Sequence, residues 1–248
     1  MPVTPSAEPK SIGAVGRIVG AIISPGETFA DIARRPTWLF PVIVLTLVAL
    51  TITILFTQRV GWERFLRRQI QQNERAAAQM EQIPAERRAE VMRQQAEISK
   101  YFGYFFGTAG QLLFVVIVAV VMLGVFNLLG GAGLRFQTAL AVTAHAAVPG
   151  IVAGLFGIAF ILFDDPASID LTNLVPLNLG ALWAKPAWLH ALGLSLDVFS
   201  FWTMFLLAVG FRAAATRKKF TTGGAFVLVM VPWAFYVLLK TAFAAVFS

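Results

Sequence analysis

Val42-Ile43-Val44-Leu45-Thr46-Leu47-Val48-Ala49-Leu50 lies at the centre of a stretch, residues 37–58, that contains no charge. Its reading decides the fold. A hydrocarbon core about 30 Å thick is crossed by roughly 20 mostly apolar residues at about 1.5 Å of helical rise each. Working outward, residues 101–134 are also uncharged and most apolar at 112–123, and a third uncharged stretch runs from 136 to 163. A fourth, about 191–211, holds one charge, Asp197, and a fifth, about 225–247, holds one, Lys240. Lipid offers the backbone no hydrogen bonds, so each stretch is expected to be a helix. The expected architecture is all-α, a polytopic membrane protein with five transmembrane helices at about 37–57, 108–129, 136–163, 191–211 and 225–247.

The composition of the 248 residues agrees: 58% are hydrophobic and 13% charged. Soluble domains carry about a quarter charged residues, so this chain could not coat a soluble surface. With no cysteine, disulfides, thiolate metal sites and a thiol nucleophile are excluded. No Gly-x-Ser-x-Gly elbow, His-Glu-x-x-His pair or phosphate loop occurs, and Gly130-Gly131-Ala132-Gly133 reads as a turn after a membrane helix. Neither catalysis nor a cofactor or metal is expected. Pro149 and Pro232 are expected to kink their helices. Gly150, Gly154 and Gly157 form a small-residue stripe that would let a neighbouring helix approach.

Orientation follows from the arginines and lysines of short flanks. Arg212, Arg217, Lys218 and Lys219 lie between helices four and five without an acid, and Lys10, Arg17, Arg34 and Arg35 precede helix one. Asp164, Asp165 and Asp170 face only Lys185 in the connection from helix three to four. This places the N-terminus in the cytoplasm and the C-terminus outside. Residues 58–100, with nine Lys/Arg and six Glu, oppose that arrangement, because they would then lie outside.

Two elements are expected outside the spans. Residues 1–36 comprise a Pro/Ser-rich, disordered start, a short apolar run at 12–23 that lacks a cleavage site, and a helix. That helix starts at a capping box, Ser24-Pro25-Gly26-Glu27, and ends at Arg34-Arg35-Pro36. With Phe29, Ile32 and Ala33 on one face and Asp31, Arg34 and Arg35 off it, it reads as an amphipathic helix in the membrane interface. Arg34 and Arg35, like Arg217, Lys218 and Lys219, would lie near lipid headgroups. Residues 58–100 read as a helical hairpin turning at Ile83-Pro84, with Glu63/Arg67 and Arg93/Glu97 as i,i+4 pairs. The hairpin is either a solvated stalk or a surface for self-association or a protein partner. Its interleaved acids give no footing for nucleic acid.

Charges inside a span are costly and mark candidate sites. Asp197 and Lys240 fall about 9 and 10 Å below the outer ends of their helices, so an ion pair is expected, with Ser200 adding a hydrogen bond. The alternatives are Lys240 snorkelling to the interface and an ion relay. His145, about 12 Å from the inner end of helix three, is expected to be neutral and bonded to a hydroxyl such as Thr143 or Thr138.

These pieces in order resemble the Yip family, multispanning membrane proteins named for interacting with Ypt/Rab GTPases, and in particular its prokaryotic branch. The resemblance rests on Ser24-Pro25-Gly26-Glu27-Thr28-Phe29 leading to Ile32-Ala33-Arg34-Arg35-Pro36, and on Ala144-His145-Ala146-Ala147-Val148-Pro149. It continues through Leu196-Asp197-Val198-Phe199-Ser200-Phe201-Trp202 and Lys219-Phe220-Thr221-Thr222-Gly223-Gly224-Ala225. It implies five spans, a cytoplasmic N-terminus, and a non-catalytic role in organising membranes or their traffic. The Asp-Leu-x-Gly-Pro motif of eukaryotic members does not occur, so GTPase binding is not carried over. The expected function is therefore a scaffold or adaptor in a bilayer, the inner membrane of a bacterium. The rival is a small transporter or channel subunit using Asp197, Lys240 and His145.

Overall fold

The computed structural model describes residues 11–183 and 185–247, and the stretch expected to be disordered, 1–10, lies outside them. Among the described residues the secondary structure is helical, with one isolated β-bridge. Four helices are long and apolar enough to cross a membrane: Leu39–Arg59, Ala109–Leu129, Phe136–Phe163 and Thr222–Val246.

The chain enters through α1 (Ala14–Ile23) and α2 (Pro25–Arg34), then rises as α3 (Leu39–Arg59). Pro25 occupies the first turn of α2, where its missing N–H leaves no bond unmade. Ser24 is the N-cap as expected, but its side chain makes no capping bond. The apolar face of α2 is covered by protein. Phe29 and Ile32 are fully buried, and α2 packs on protein, α11 (Val198–Ala214) and α8 (Phe136–Ala146). Its amphipathic pattern was legible, but the surface that receives its apolar face comes from segments over a hundred residues away.

The hairpin outside the spans has three helices where two were expected: α4 (Trp62–Gln72), α5 (Glu74–Glu81) and α6 (Ala85–Gly107). The extra break falls at Asn73, whose side chain caps α5 by accepting from Ala76 N at 2.9 Å. Within the hairpin the ion pairs among the described residues are Arg93–Glu90 at 3.1 Å and Lys100–Glu97 at 2.5 Å, each three residues apart, in place of the expected four-residue pairs, and Glu74 pairs outward with Lys185 at 3.6 Å. Helix surfaces offer both spacings as neighbours. The bond from Glu97 pushes the Lys100 ammonium above the usual lysine value.

After Thr108 the chain continues as α7 (Ala109–Gly124) and a π-helical turn, Val125–Leu129. The third span divides at Ala147 into α8 and α9 (Val148–Phe163), with Pro149 in the first turn of α9. By contrast, α12 (Thr222–Phe247) runs unbroken through Pro232.

The fourth span departs most from expectation. It is split into α10 (Ala187–Ser195) and α11, and Asp197 lies between them, not inside a helix. Its carboxylate accepts from Ser200 N at 2.9 Å and so caps α11. Leu196 and Val198 pair with the backbone of Leu179 and Leu177, at 3.3 and 3.2 Å, which holds this break extended. The 17 residues of α11 measure about 25 Å, and α11 is not among the four helices of membrane length.

The helices converge on an apolar core. Val115, Ala119 and Phe126 meet Ala139 and Val142 of α8 and Leu206 and Phe211 of α11. Phe126 and Phe211 stack at 4.7 Å. A second core pins the hairpin to the bundle: Trp62 meets Phe56 edge-on at 5.2 Å and donates from Nε1 to Thr57 Oγ1 at 2.9 Å. Trp62→Phe removes that bond and part of the ring, a loss of about 1–2 kcal/mol. Trypsin should then cut at Arg64 and Arg67 about tenfold faster, and an unchanged rate would mean Trp62 does not hold the hairpin base.

Candidate functional site

The two charges expected to pair within the bundle each have a different hydrogen-bond partner. Lys240 Nζ donates to Ser195 Oγ at 3.0 Å, and Ser195 Oγ in turn donates to Ala191 O at 3.0 Å. Asp197 is occupied as the cap of α11, and Ser200 contributes its backbone N–H rather than its hydroxyl. No ion pair joins Asp197 and Lys240 among the described residues. The break at Leu196 is the physical reason: it turns Asp197 to the start of α11 and presents Ser195, on the last turn of α10, to α12.

His145 is 1% exposed, and its Nδ1 lies 2.9 Å from Ala141 O. A carbonyl only accepts, so Nδ1 carries the proton. Neither expected hydroxyl is its partner, and the Thr143 Oγ1 is buried without a hydrogen bond.

Gly150 and Gly154 face α3, and Gly157 faces chiefly Leu174 in the segment after α9. A Cβ on Gly150 would sit 3.5 Å from Leu45 Cδ2, one on Gly154 would collide with Val48 Cγ1, and one on Gly157 would lie 2.6 Å from Leu174 Cδ2. Such contact is what small residues permit between membrane helices.

One buried polar constellation was not expected. Arg17 is 4% exposed and Asp31 2% exposed. Arg17 Nη2 lies 2.8 Å from Asp31 Oδ2, and its Nε donates to the same oxygen at 2.9 Å. Its Nη1 donates to Arg35 O at 2.9 Å and to Thr37 Oγ1 at 2.7 Å. One guanidinium thus ties α1 to the body of α2 and to the elbow before α3. The available signal was an arginine inside a short apolar run, followed fourteen residues later by an acid on a helix folded back at Ser24-Pro25.

Among the basic residues expected near headgroups, Arg34 and Arg217 line a common cavity at one end of the bundle. Arg35 is the C-cap of α2. Lys218 lies over the Phe220 ring at 5.8 Å, and Lys219 is exposed. At the opposite end, Arg68 Nη1 donates to Ile169 O at 2.6 Å and Nη2 to Ala167 O, while Arg59 donates to Leu162 O. The hairpin is therefore fastened to the loop after α9.

An all-helical bundle with several membrane-length apolar helices, its few buried charges bonded within the protein, defines a polytopic integral membrane protein. The Yip1 domain model matches residues 19–243, and the chain belongs to that family. Searches of curated proteins and of solved structures find no match.

Proposed function

We propose that this Yip-family protein is a non-enzymatic membrane organiser, a scaffold or adaptor that engages a protein partner through the hairpin at 58–100. The observation that carries this reading is the family match over residues 19–243, which takes in the whole packed bundle. The middle of that bundle is filled by small and branched apolar side chains such as Ala141, Ala144, Leu207 and Ala208, all buried. The groups a transporter would use are committed instead: Lys240 to Ser195, Asp197 to the α11 cap and His145 to Ala141.

The placement is a bacterial inner membrane with the N-terminus cytoplasmic. The acid-free basic turn at 212–219 and the acidic loop at 164–170 support that sense. The basic hairpin then lies outside, where its arginines are partly engaged with loop carbonyls.

Photocrosslinking in native membranes tests the adaptor role. A photoreactive side chain at the exposed Gln79 or Arg87 should give discrete adducts with another protein. Adducts with lipid or with this chain alone would remove the adaptor role.

A further inference from the structure

Three arginines far apart in sequence, Arg34, Arg135 and Arg217, line one open cavity of about 820 Å³, with no acid lining it among the described residues. Arg34 comes from the last turn of α2, Arg135 is the N-cap of α8, and Arg217 lies in the turn between α11 and α12. The fold brings them together by specific devices. Thr216 N and Arg217 N both donate to Ala132 O, at 3.0 and 3.1 Å, which fixes the turn against the loop after α7. Gly133, at φ 73°, leaves room for the Arg217 stem, whose Cγ would lie 2.6 Å from a Cβ there. Asn127 forms the adjoining wall, its amide bonded to both Leu134 N (2.8 Å) and Leu134 O (3.1 Å).

The positive charge of the cavity is largely uncompensated. Arg135 and Arg217 are exposed and take part in no ion pair among the described residues. Arg34 approaches Asp31 only at 3.8 Å, and that carboxylate already serves Arg17. Thr138, in the first turn of α8, also lines the cavity, and Arg135 makes no side-chain cap on that helix. Helix N-termini favour anions, and guanidinium groups match phosphate oxygens. Next in sequence to the lining residues Asn127 and Arg135 are exposed apolar side chains: Leu128 is 86% exposed, Leu129 65% and Phe136 45%.

We propose that this cavity binds the phosphate headgroup of an anionic phospholipid, with its acyl chains lying over Leu128, Leu129 and Phe136. The shared chemistry with a free phosphate ester is the anion; the apolar strip beside it selects the lipid.

The test uses the full chain purified in mild detergent, with lipid binding followed by native mass spectrometry. Phosphatidylglycerol should be retained in preference to phosphatidylcholine, less so as salt is raised. Arg135→Gln and Arg217→Gln should each weaken its retention about fivefold, and the double variant about 25-fold. Arg217→Lys should recover part of the loss. Thermal unfolding of the variants should match the parent, because both side chains are exposed. Full retention of phosphatidylglycerol by the double variant would overturn the site. Binding of soluble glycerol phosphate as tight as that of the lipid would overturn the lipid assignment in favour of a free phosphate ester.

Discussion

Asp31→Asn is expected to destabilise the protein by about 3–5 kcal/mol, the usual cost of leaving one member of a buried ion pair without its partner. The Arg17 guanidinium would keep its bonds to Arg35 O and Thr37 Oγ1 but lose the one carboxylate within bonding distance among the described residues. For a chain of this size, a loss of that order lowers the melting temperature by about 10 °C. Thermal unfolding in detergent reads it directly. The paired variant Arg17→Met/Asp31→Leu removes both charges from the buried site and should recover most of the loss, since apolar replacement of a buried pair is often neutral. If Asp31→Asn melted with the parent, the pair would be ornamental, and the corner it holds would depend on Phe29 and Ile32 alone.

The second large effect is expected at Gly154. Gly154→Leu puts a branched side chain where even a Cβ collides with Val48, so α9 must part from α3. Overpacking of this kind costs about 1–3 kcal/mol. Gly150→Ala is the internal control, because its Cβ would rest at an ordinary 3.5 Å from Leu45 Cδ2. Melting curves should therefore separate the two, with Gly154→Leu low and Gly150→Ala near the parent. Equal curves would show that the glycine stripe does not set the α3–α9 distance.

The spans were legible because the physics that selects them is local: a run of apolar residues of sufficient length needs no knowledge of its neighbours. The break at Asp197 was also local and was missed. Asp followed three residues later by Ser is the same capping spacing that marks Ser24, but within an apolar run it looked like a charge in a helix. The fate of Asp31 was of another kind. On helix periodicity alone it lies off the apolar face; only the fold-back of α1 supplies the arginine that meets it. The cavity of Arg34, Arg135 and Arg217 was beyond reach for the same reason. Arg34 and Arg217 were recognised as basic flanks, but what joins them to Arg135 is the bonding of Ala132 O to a turn more than eighty residues later.

That bond has a consequence for the order in which the molecule is made. The corner around Arg17 is complete once Thr37 has been synthesised, because all its partners lie within twenty residues. The clasp at Ala132 has no partner until Thr216 and Arg217 emerge. Chains assemble from the N-terminus as they are synthesised. One end of this bundle is thus fastened in two acts, an early local knot and a late closing stitch, and every helix from α8 to α11 must be made in the interval.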